Sequence, residues 1–347
     1  MSNPKDPPPR TGAQVQSNDQ RGRNYQSSSN EDGSSLPRNE AAWISAEKGE
    51  IIVGAAAFPE AQLREVLVKN YAVAINNMDW KIKYLGDDYP LLHQYPFIIG
   101  SDCAGEVIDC IVDEQLLTPI PPELSYVDAV TLPLAISTAA MGLYPPGRLE
   151  LAPPSPVGQS REGQKMLIWG ASSTTGIVAV QLALASGVSV VTVASKSNLK
   201  FVMELGVTAV FDYNDPRNLE KIIVLLKQMP GRFVGAYDCI GDEKTTKSCA
   251  GVVLSLATGK IVTNSPVAMK NPPMGVKVIP VDDTPRILEN KFITQMIWEK
   301  FIPEGLETKV IKALPQPIVI GKGLENIDKG IERLKEGVSA GKVVVEL

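Results

Sequence analysis

The sequence has little of what metal and thiol chemistry needs. Its 347 residues include one histidine, His93, and four cysteines, Cys103, Cys110, Cys239 and Cys249. No two cysteines stand in a C-x-x-C pair, whereas structural zinc sites draw on closely spaced ligand pairs. A zinc ion held by histidine would rest on His93 nearly alone, which disfavours a metal enzyme. The cysteines read instead as reduced, mostly buried thiols. Basic residues are also few: 34 Lys and Arg stand against 39 Asp and Glu, for a net charge of −5. With no basic stripe interleaved with aromatics, no nucleic-acid partner is expected. No apolar run reaches the ~20 residues of a membrane-spanning helix. The opening "MSNPKDPPPRTG" lacks the hydrophobic segment of a secretory signal. The expectation is a cytoplasmic protein without a membrane partner.

What is there is ordinary for a globular chain: 44% hydrophobic and 21% charged residues, in a length that suits two domains. Residues 1–40 are rich in Pro, Ser, Asn, Gln and Gly and carry almost no large apolar side chains. Such a segment buries too little surface to offset its ordering entropy, so a disordered tail is expected. From Ala41 the pattern changes. "EVLVKNYAV" alternates like a strand with one wet face, and "IIGSDCAGEVIDCIV" is an apolar run broken by Gly100 and Gly105. These runs predict a compact β domain. "LSYVDAVTLPLAISTAAMGLY" reads as a helix capped by Ser125 or Asp128 and interrupted by Pro133.

After Lys165, strand and helix alternate regularly: "KMLIWGA", "TGIVAVQLALASG", "VSVVTVAS", "NLKFVMELG", "VTAVFDYND", "NLEKIIVLLKQM", "RFVGAYDCIG", "KTTKSCAGVVLSLATG" and "GKIVTNSP". Single helices between strands are the mark of βαβ units and a parallel sheet, hence an α/β fold of Rossmann type. "GLENIDKGIERLKEG" is a late amphipathic helix and "GKVVVEL" a final strand. The stretch Ile293–Trp298 reads as a helix packed on the sheet, while "PMGVKV" (273–278) is apolar enough for a pocket wall.

The turn "GASSTTG" after the first of these strands has two glycines, Gly170 and Gly176, where dinucleotide-binding turns usually have three. Its backbone N–H groups and the following helix N-terminus form an anion site whatever the side chains are. Ser172, Ser173, Thr174 and Thr175 add small donors. On its own the turn is equally an ordinary β–α connection capped by serine. The next strand decides. NAD-binding folds end it with an acid that bonds the ribose 2′-hydroxyl. Here it ends in Ser195, Lys196, Ser197 and Asn198. A carboxylate repels a 2′-phosphate, and a lysine with hydroxyls attracts one. The expected cofactor is NADPH; without the preceding turn Lys196 reads as a solvated lysine.

Residues 50–347 resemble the zinc-free medium-chain dehydrogenase/reductases, which include quinone oxidoreductases and enoyl reductases. They are most similar to the fungal branch with trans-acting enoyl reductases of polyketide pathways and toxin-cluster oxidoreductases. The resemblance rests on "AINNMDWK", "YPFIIGSDCAGEV", "LPLAISTAAMGLY", "LIWGASSTTGIVAVQLA", "VASKSN", "GVTAVFDYND", "AYDCIG" and "VSAGKVVVEL", in that order. It implies a GroES-like β domain over 41–135 and 308–347, with an inserted Rossmann NADPH-binding domain over 136–307. By the resemblance, Ser172, Ser173, Thr174 and Thr175 would hold the pyrophosphate. Ser195, Lys196, Ser197 and Asn198 would meet the 2′-phosphate and adenosine, with Tyr213 nearby. Met78, Asp79, Trp80 and Lys81 would lie against the cofactor on the catalytic-domain side. Thr263 and Asn264 would face the nicotinamide half, and Ala340 and Gly341 would touch the cofactor from the C-terminal loop. Ala135, Ile136, Ser137, Thr138, Ala139, Ala140, Met141 and Gly142 would line the substrate cleft. Zinc members carry a cysteine and a "GHE" motif where this chain has "NNMD" and "GSD", so no metal is expected.

The implied reaction is hydride transfer from NADPH to an α,β-unsaturated carbonyl, with negative charge developing on the carbonyl oxygen. Lys81 and Thr138 are the candidate catalytic donors. A proton for the α-carbon would come from Lys81, Tyr84 or water. Lys81 as a plain surface lysine remains open. The implied substrate is a small molecule or acyl thioester, presented by a carrier protein or polyketide synthase, and the assembly a monomer or homodimer. A quinone reductase is the alternative. One departure from the family keeps a third reading: "CIVDEQLL" joins "GEVIDC" directly to "TPIPPELSY", where a longer segment is usual. A β domain short of strands leaves unpaired edges. That is a natural variant or an incorrectly spliced coding sequence, and it raises the prospect of a catalytically dead NADPH-binding protein.

Overall fold

The computed structural model describes residues 39–88, 94–160, 163–256, 259–265, 271–281 and 284–347. His93 and the expected tail, apart from its last two residues, lie outside them. The described chain forms two compact units. One holds Gln115–Pro317 and Ser339–Lys342; the other holds 39–114, Ile318–Val338 and Val343–Leu347.

The second unit begins with β1 (Glu40–Ile44) and β2 (Ile51–Ala55), followed by β3 (Glu65–Ala74), α1 (Asn77–Leu85), β4 (Phe97–Ile98) and β5 (Asp102–Asp113). β3 and β5 pair antiparallel from Glu65–Asp113 to Ala74–Asp102, with two register shifts. Gly105 sits at the second shift because any Cβ there would stand 1.8 Å from the Lys69 carbonyl oxygen.

The first unit opens with α2 (Tyr126–Ala129) and α3 (Pro133–Leu143). Ser125 caps α2, accepting from Asp128 N–H at 3.1 Å. Pro133 does not interrupt a single helix, as the sequence suggested. It opens α3 at the first helical position, where its missing N–H costs nothing. The 18-residue span Tyr126–Leu143 has the length and apolarity of a membrane-crossing helix, yet 67% of it is buried in the fold. The chain passes between the two compact units at 114/115 and 317/318, and again at 338/339 and 342/343. α3 packs against the first sheet helix, which draws it into this unit.

Then come β6 (Gln164–Trp169), α4 (Thr174–Ala185), β7 (Val188–Ala194), α5 (Leu199–Glu204), β8 (Ala209–Asp212), α6 (Asn218–Gln228), β9 (Arg232–Asp238), α7 (Glu243–Leu256), β10 (Gly259–Thr263) and β11 (Val276–Pro280). The six strands form one parallel sheet in the order β11-β10-β9-β6-β7-β8. Numbered within the sheet this is 6-5-4-1-2-3, the doubly wound order, with its switch point between β6 and β9. The "PMGVKV" stretch therefore builds an edge strand. Leu167, Val191, Val193, Ala236 and Ile261 on the sheet pack on Ile222 and Leu226 of α6 and Val252 and Val253 of α7. Each Val, Leu or Ile side chain among these contributes about 1.5–3 kcal/mol by its burial. α4 is buried on every side from Gly176 to Ala185, the mark of a helix with no solvent face. Ile293–Trp298 lies in a π-helix, Phe292–Phe301, with Ile293, Thr294, Ile297, Trp298 and Phe301 buried; α8 (Ile302–Glu307) continues it.

The chain then supplies β12 (Gln316–Lys322), α9 (Ile327–Lys335) and β13 (Gly341–Glu346). Among the described residues, the second unit's strands form two open sheets, β2-β1-β4 and β12-β13-β3-β5. β5 is an edge strand; it takes in the first four residues of "CIVDEQLL", 110–113, and runs directly into a 3-10 turn at Glu114–Leu116. Ile327 and Ile331 of α9 join Ile75, Ile82, Val343 and Val345 in the core. Lys83 of α1, 8% exposed, pairs with Asp328 and with Glu332 at 3.4 Å, tying α1 to α9.

Candidate active site

The register of the parallel sheet sets Trp169 opposite Val193 and Asp238, and Thr263 opposite Asp238. Four strands thus end side by side, and the loops that follow leave from the carboxyl edge of the sheet at its switch point. That edge is where open α/β sheets bind ligands.

The turn after β6 is built around its cap. Ser173 Oγ donates to the Gly170 carbonyl at 2.8 Å and accepts from the Gly176 N–H at 3.1 Å. Thr174 and Thr175, the first two residues of α4, have N–H groups with no intrahelical acceptor. Ser172, Ser173, Thr174 and Thr175 are all partly exposed. A Cβ at Gly176 would stand 2.2 Å from the Gly170 carbonyl oxygen. The second glycine is therefore required by helix–strand contact, and the middle of the turn tolerates hydroxyl residues.

At the end of β7 the chain enters a 3-10 turn, Lys196–Asn198. Lys196 and Ser197 are exposed, and the Ser195 and Ser197 hydroxyls lie 3.0 Å apart. Asn198 Nδ2 donates to Ser339 Oγ at 2.9 Å. Ala340, next to that serine, takes a positive φ of 47° before Gly341. Tyr213 follows β8, donates its N–H to the Ala194 carbonyl at 3.1 Å, and leaves its ring half exposed. The structure thus gathers Ser195–Asn198, Tyr213 and the Ser339–Gly341 turn around the end of β7.

Asp238, at the end of β9, is a residue whose role the sequence did not announce. It is fully buried and accepts four hydrogen bonds: from Ile240 N–H (3.2 Å), Gly241 N–H (3.0 Å), Thr245 Oγ1 (2.9 Å) and Thr246 Oγ1 (2.7 Å). Burial pushes its carboxyl up from the ordinary value, and the four donors hold that rise back. It shapes the loop into α7. The signal was an acid closing an apolar strand, with two threonines seven and eight residues on.

Thr263 is buried at the end of β10, and Asn264 beside it is partly exposed. Asn264 N–H donates to the Asp238 carbonyl at 3.2 Å, and its Nδ2 to the Cys239 carbonyl at 3.2 Å. Of the eight residues Ala135–Gly142 expected to line a cleft, Ala135, Ile136, Ser137, Ala139, Ala140, Met141 and Gly142 are buried and only Thr138 is partly exposed. An apolar helix packed on α4 must bury most of its surface, so Thr138 is the one member of the set with surface to offer.

In the second unit, α1 carries Met78, Asp79, Trp80 and Lys81. Asp79 is buried and its carboxylate accepts the Asn76 N–H at 2.7 Å, capping the helix that bears it. Met78 and Trp80 are half-buried against the core. Lys81 is partly exposed, and burial lowers its amine from the ordinary 10.5. Tyr84 is engaged by Glu332 of α9, with the Lys335 amine over its ring. Asn76, Ser101 and Asp102, from "NNMD" and "GSD", converge: Asn76 Nδ2 donates to Ser101 Oγ at 3.1 Å and to Asp102 Oδ2 at 2.8 Å.

Residues 174–285 match the family described as "Zinc-binding dehydrogenase", and residues 62–117 match "Alcohol dehydrogenase GroES-like domain". The trans-enoyl reductase himH of Aspergillus japonicus is 32% identical over 348 residues, spanning 89% of this chain and 97% of its own. The chain belongs to the medium-chain dehydrogenase/reductase family. Among solved structures, an alcohol dehydrogenase superfamily protein from Novosphingobium aromaticivorans matches with a TM-score of 0.72 at 21% identity, covering 89% of this chain and 99% of its own. The quinone oxidoreductase from Thermus thermophilus, also solved with NADPH, matches at 0.65 and 22%, covering 89% and 100%. These carry the medium-chain dehydrogenase/reductase fold, a Rossmann sheet with a GroES-like β domain. As a member of that family the protein is an oxidoreductase of the enoyl reductase type.

Proposed function

We propose that the protein is an NADPH-dependent, metal-independent reductase of α,β-unsaturated carbonyl compounds. The observation that carries the cofactor is the end of β7: no acid stands there, and Lys196 is exposed beside Ser195, Ser197 and Asn198. A singly placed cation with hydroxyl donors suits a phosphate dianion and gives a bare 2′-hydroxyl no acidic partner. The sheet edge fits a dinucleotide in its other half too. The Gly176 contact leaves the α4 N-terminus close to the β6 turn, with the Thr174 and Thr175 N–H groups free for a pyrophosphate. The T. thermophilus enzyme's complex with NADPH supports the choice. We assign unit Gln115–Pro317 as the cofactor-binding domain and the other unit as the catalytic domain.

When bound, NADPH supplies a hydride. The chain's own residues must hold the carbonyl oxygen as it gains negative charge and return a proton. Thr138 offers a hydroxyl from the exposed side of α3. Lys81 offers an ammonium whose pKa burial lowers, which eases proton release. No metal is assigned: at the places where zinc members bind theirs, Asn76 donates hydrogen bonds to Ser101 and to Asp102. Among the described residues no three His, Cys, Asp or Glu are grouped to hold a metal ion.

The substrate class follows the trans-enoyl reductase relative: an enoyl group, as an acyl thioester or free enone, supplied by a carrier protein or polyketide synthase in the cytoplasm. The edge position of β5 among the described residues of the second unit favours one other reading, a protein that binds NADPH without turnover. Fluorescence titration with NADPH and NADH, then NADPH consumption with short enones, enoyl thioesters and quinones, tests all of this. Tight NADPH binding and turnover of an enoyl substrate are expected. Equal affinity for NADH overturns the assignment of Lys196. Binding without turnover overturns the reductase and leaves the binding protein. Turnover of quinones alone shifts the reaction class.

A further inference from the structure

Behind Thr138 and Asn264 stands a side chain that the proposed reaction does not use. Tyr237, next to last in β9, is fully buried. Its ring lies so close to α3 that a Cβ at Gly142 would stand 2.6 Å from it. Its hydroxyl is 2.9 Å from each of two acceptors, the Thr138 carbonyl and Asn264 Oδ1. A phenol has one proton to share between them. Burial raises the phenol well above its usual pKa, so that proton stays. Asn264 cannot relieve the shortage by turning its amide over, because its Nδ2 already donates to the Cys239 carbonyl. Turning would set two oxygens against each other.

The two acceptors differ in what else they have. The Thr138 carbonyl lies inside α3, where the Gly142 N–H four residues on is its regular donor. Asn264 Oδ1 has spare capacity, and its residue is partly exposed. With the Thr138 carbonyl served by its helix, the Tyr237 proton is directed to Asn264 Oδ1, which fixes the amide oxygen in place and leaves its second lone pair ready to accept a hydrogen bond from outside the protein. The matching donor is a primary carboxamide, and the nicotinamide end of the proposed cofactor carries one.

We propose that Tyr237 is a positioning residue for the nicotinamide carboxamide, holding the Asn264 amide oxygen towards it and Thr138 alongside. This rests on the dinucleotide reading given above and adds which groups fix the reactive end. The test is binding. Tyr237→Phe keeps the ring against Gly142 and removes the hydroxyl alone. Tryptophan quenching compares NADPH with 2′-phosphoadenosine 5′-diphosphoribose, which has every anchor except the nicotinamide. NADPH affinity should fall about fivefold, as for one net hydrogen bond, with the truncated ligand unchanged. A general loosening of the fold weakens both ligands. Equal losses, or no loss for either, overturn the assignment of Tyr237 while leaving the cofactor reading intact. Failure of the wild type to bind either ligand overturns both. Asn264→Ala should give the same split, and provides the measurement if Tyr237→Phe does not fold.

Discussion

Asn198 donates a 2.9 Å hydrogen bond to the hydroxyl of Ser339, 141 residues further along the chain. The bond gives an exposed, charged loop a fixed neighbour. Ser195, Lys196 and Ser197 are local in sequence, but the course of their loop is set in part by the turn before β13.

Lys196→Glu should therefore weaken NADPH about tenfold or more and leave NADH little changed. The lower figure reflects a charge-assisted hydrogen bond at an exposed site. Ser339→Ala should weaken NADPH by a smaller factor, roughly threefold, without altering its preference over NADH. Parallel titrations with both dinucleotides read these effects.

Gly176→Ala should abolish the β6–α4 packing. Its Cβ would meet backbone at 2.2 Å, and a carbonyl cannot swing away like a side chain. A loss of about 3 kcal/mol or more is expected, seen as insoluble protein or a large drop in Tm. Gly251→Ala is the matched control. It lies in α7 on an exposed position with nothing within 4 Å of the new Cβ, and should stabilise the protein by about 0.5–1 kcal/mol.

Asp238→Asn should destabilise by roughly 2–4 kcal/mol, since an amide cannot accept from all four donors that the carboxylate now serves. It should also change the pH dependence of unfolding. Burial raises the folded-state pKa above the ordinary 3.8, so the folded protein binds this proton more tightly than the unfolded chain. The stabilising contribution is full below that ordinary value and is lost as pH rises through the folded value. Urea midpoints from pH 3.5 to 6.5 should show this falling component in the wild type, and its absence in the variant.

Lys81 predicts an alkaline limb. If its ammonium supplies the proton, kcat/KM falls as pH rises through its lowered pKa, at a pH below the 10.5 of an ordinary lysine. Lys81→Arg, which stays charged, should remove that limb and lower the rate at pH 7. A profile unchanged by the substitution returns Lys81 to the surface.

The Rossmann half was legible because its signals are local. An apolar strand, a small-residue turn and a capped helix repeat with the right period, and each of "KMLIW", "VSVVTVA" and "RFVGAYD" contains a strand. What was missed depends on partners far away in sequence. Asp79, expected against the cofactor, also closes a local helix cap with Asn76, three residues before it. The set Ala135–Gly142 could not reveal which side faces out, because small residues give a helix no polar stripe; packing on α4 left only Thr138 partly open. Pro133 read as a break when it was a beginning. "PMGVKV" became a strand only because β10 offers it an edge. Tyr237 gave no warning, and Asp238 only that of an acid closing an apolar strand, since a buried hydroxyl or carboxylate takes its meaning from the groups the fold brings to it.

β13 sits between β12 and β3 in its sheet, and this arrangement has a temporal side. β3 and β5 leave the ribosome early and can pair at once. The strand that covers the other edge of β3 is made only after Gln115–Pro317 has been synthesised. For that whole interval the nascent chain carries a two-stranded ribbon with an open apolar edge, prone to mispairing with its neighbours on a polysome. The yield of active protein should thus respond more to the rate of translation and to chaperone supply than the stability of the finished fold would suggest.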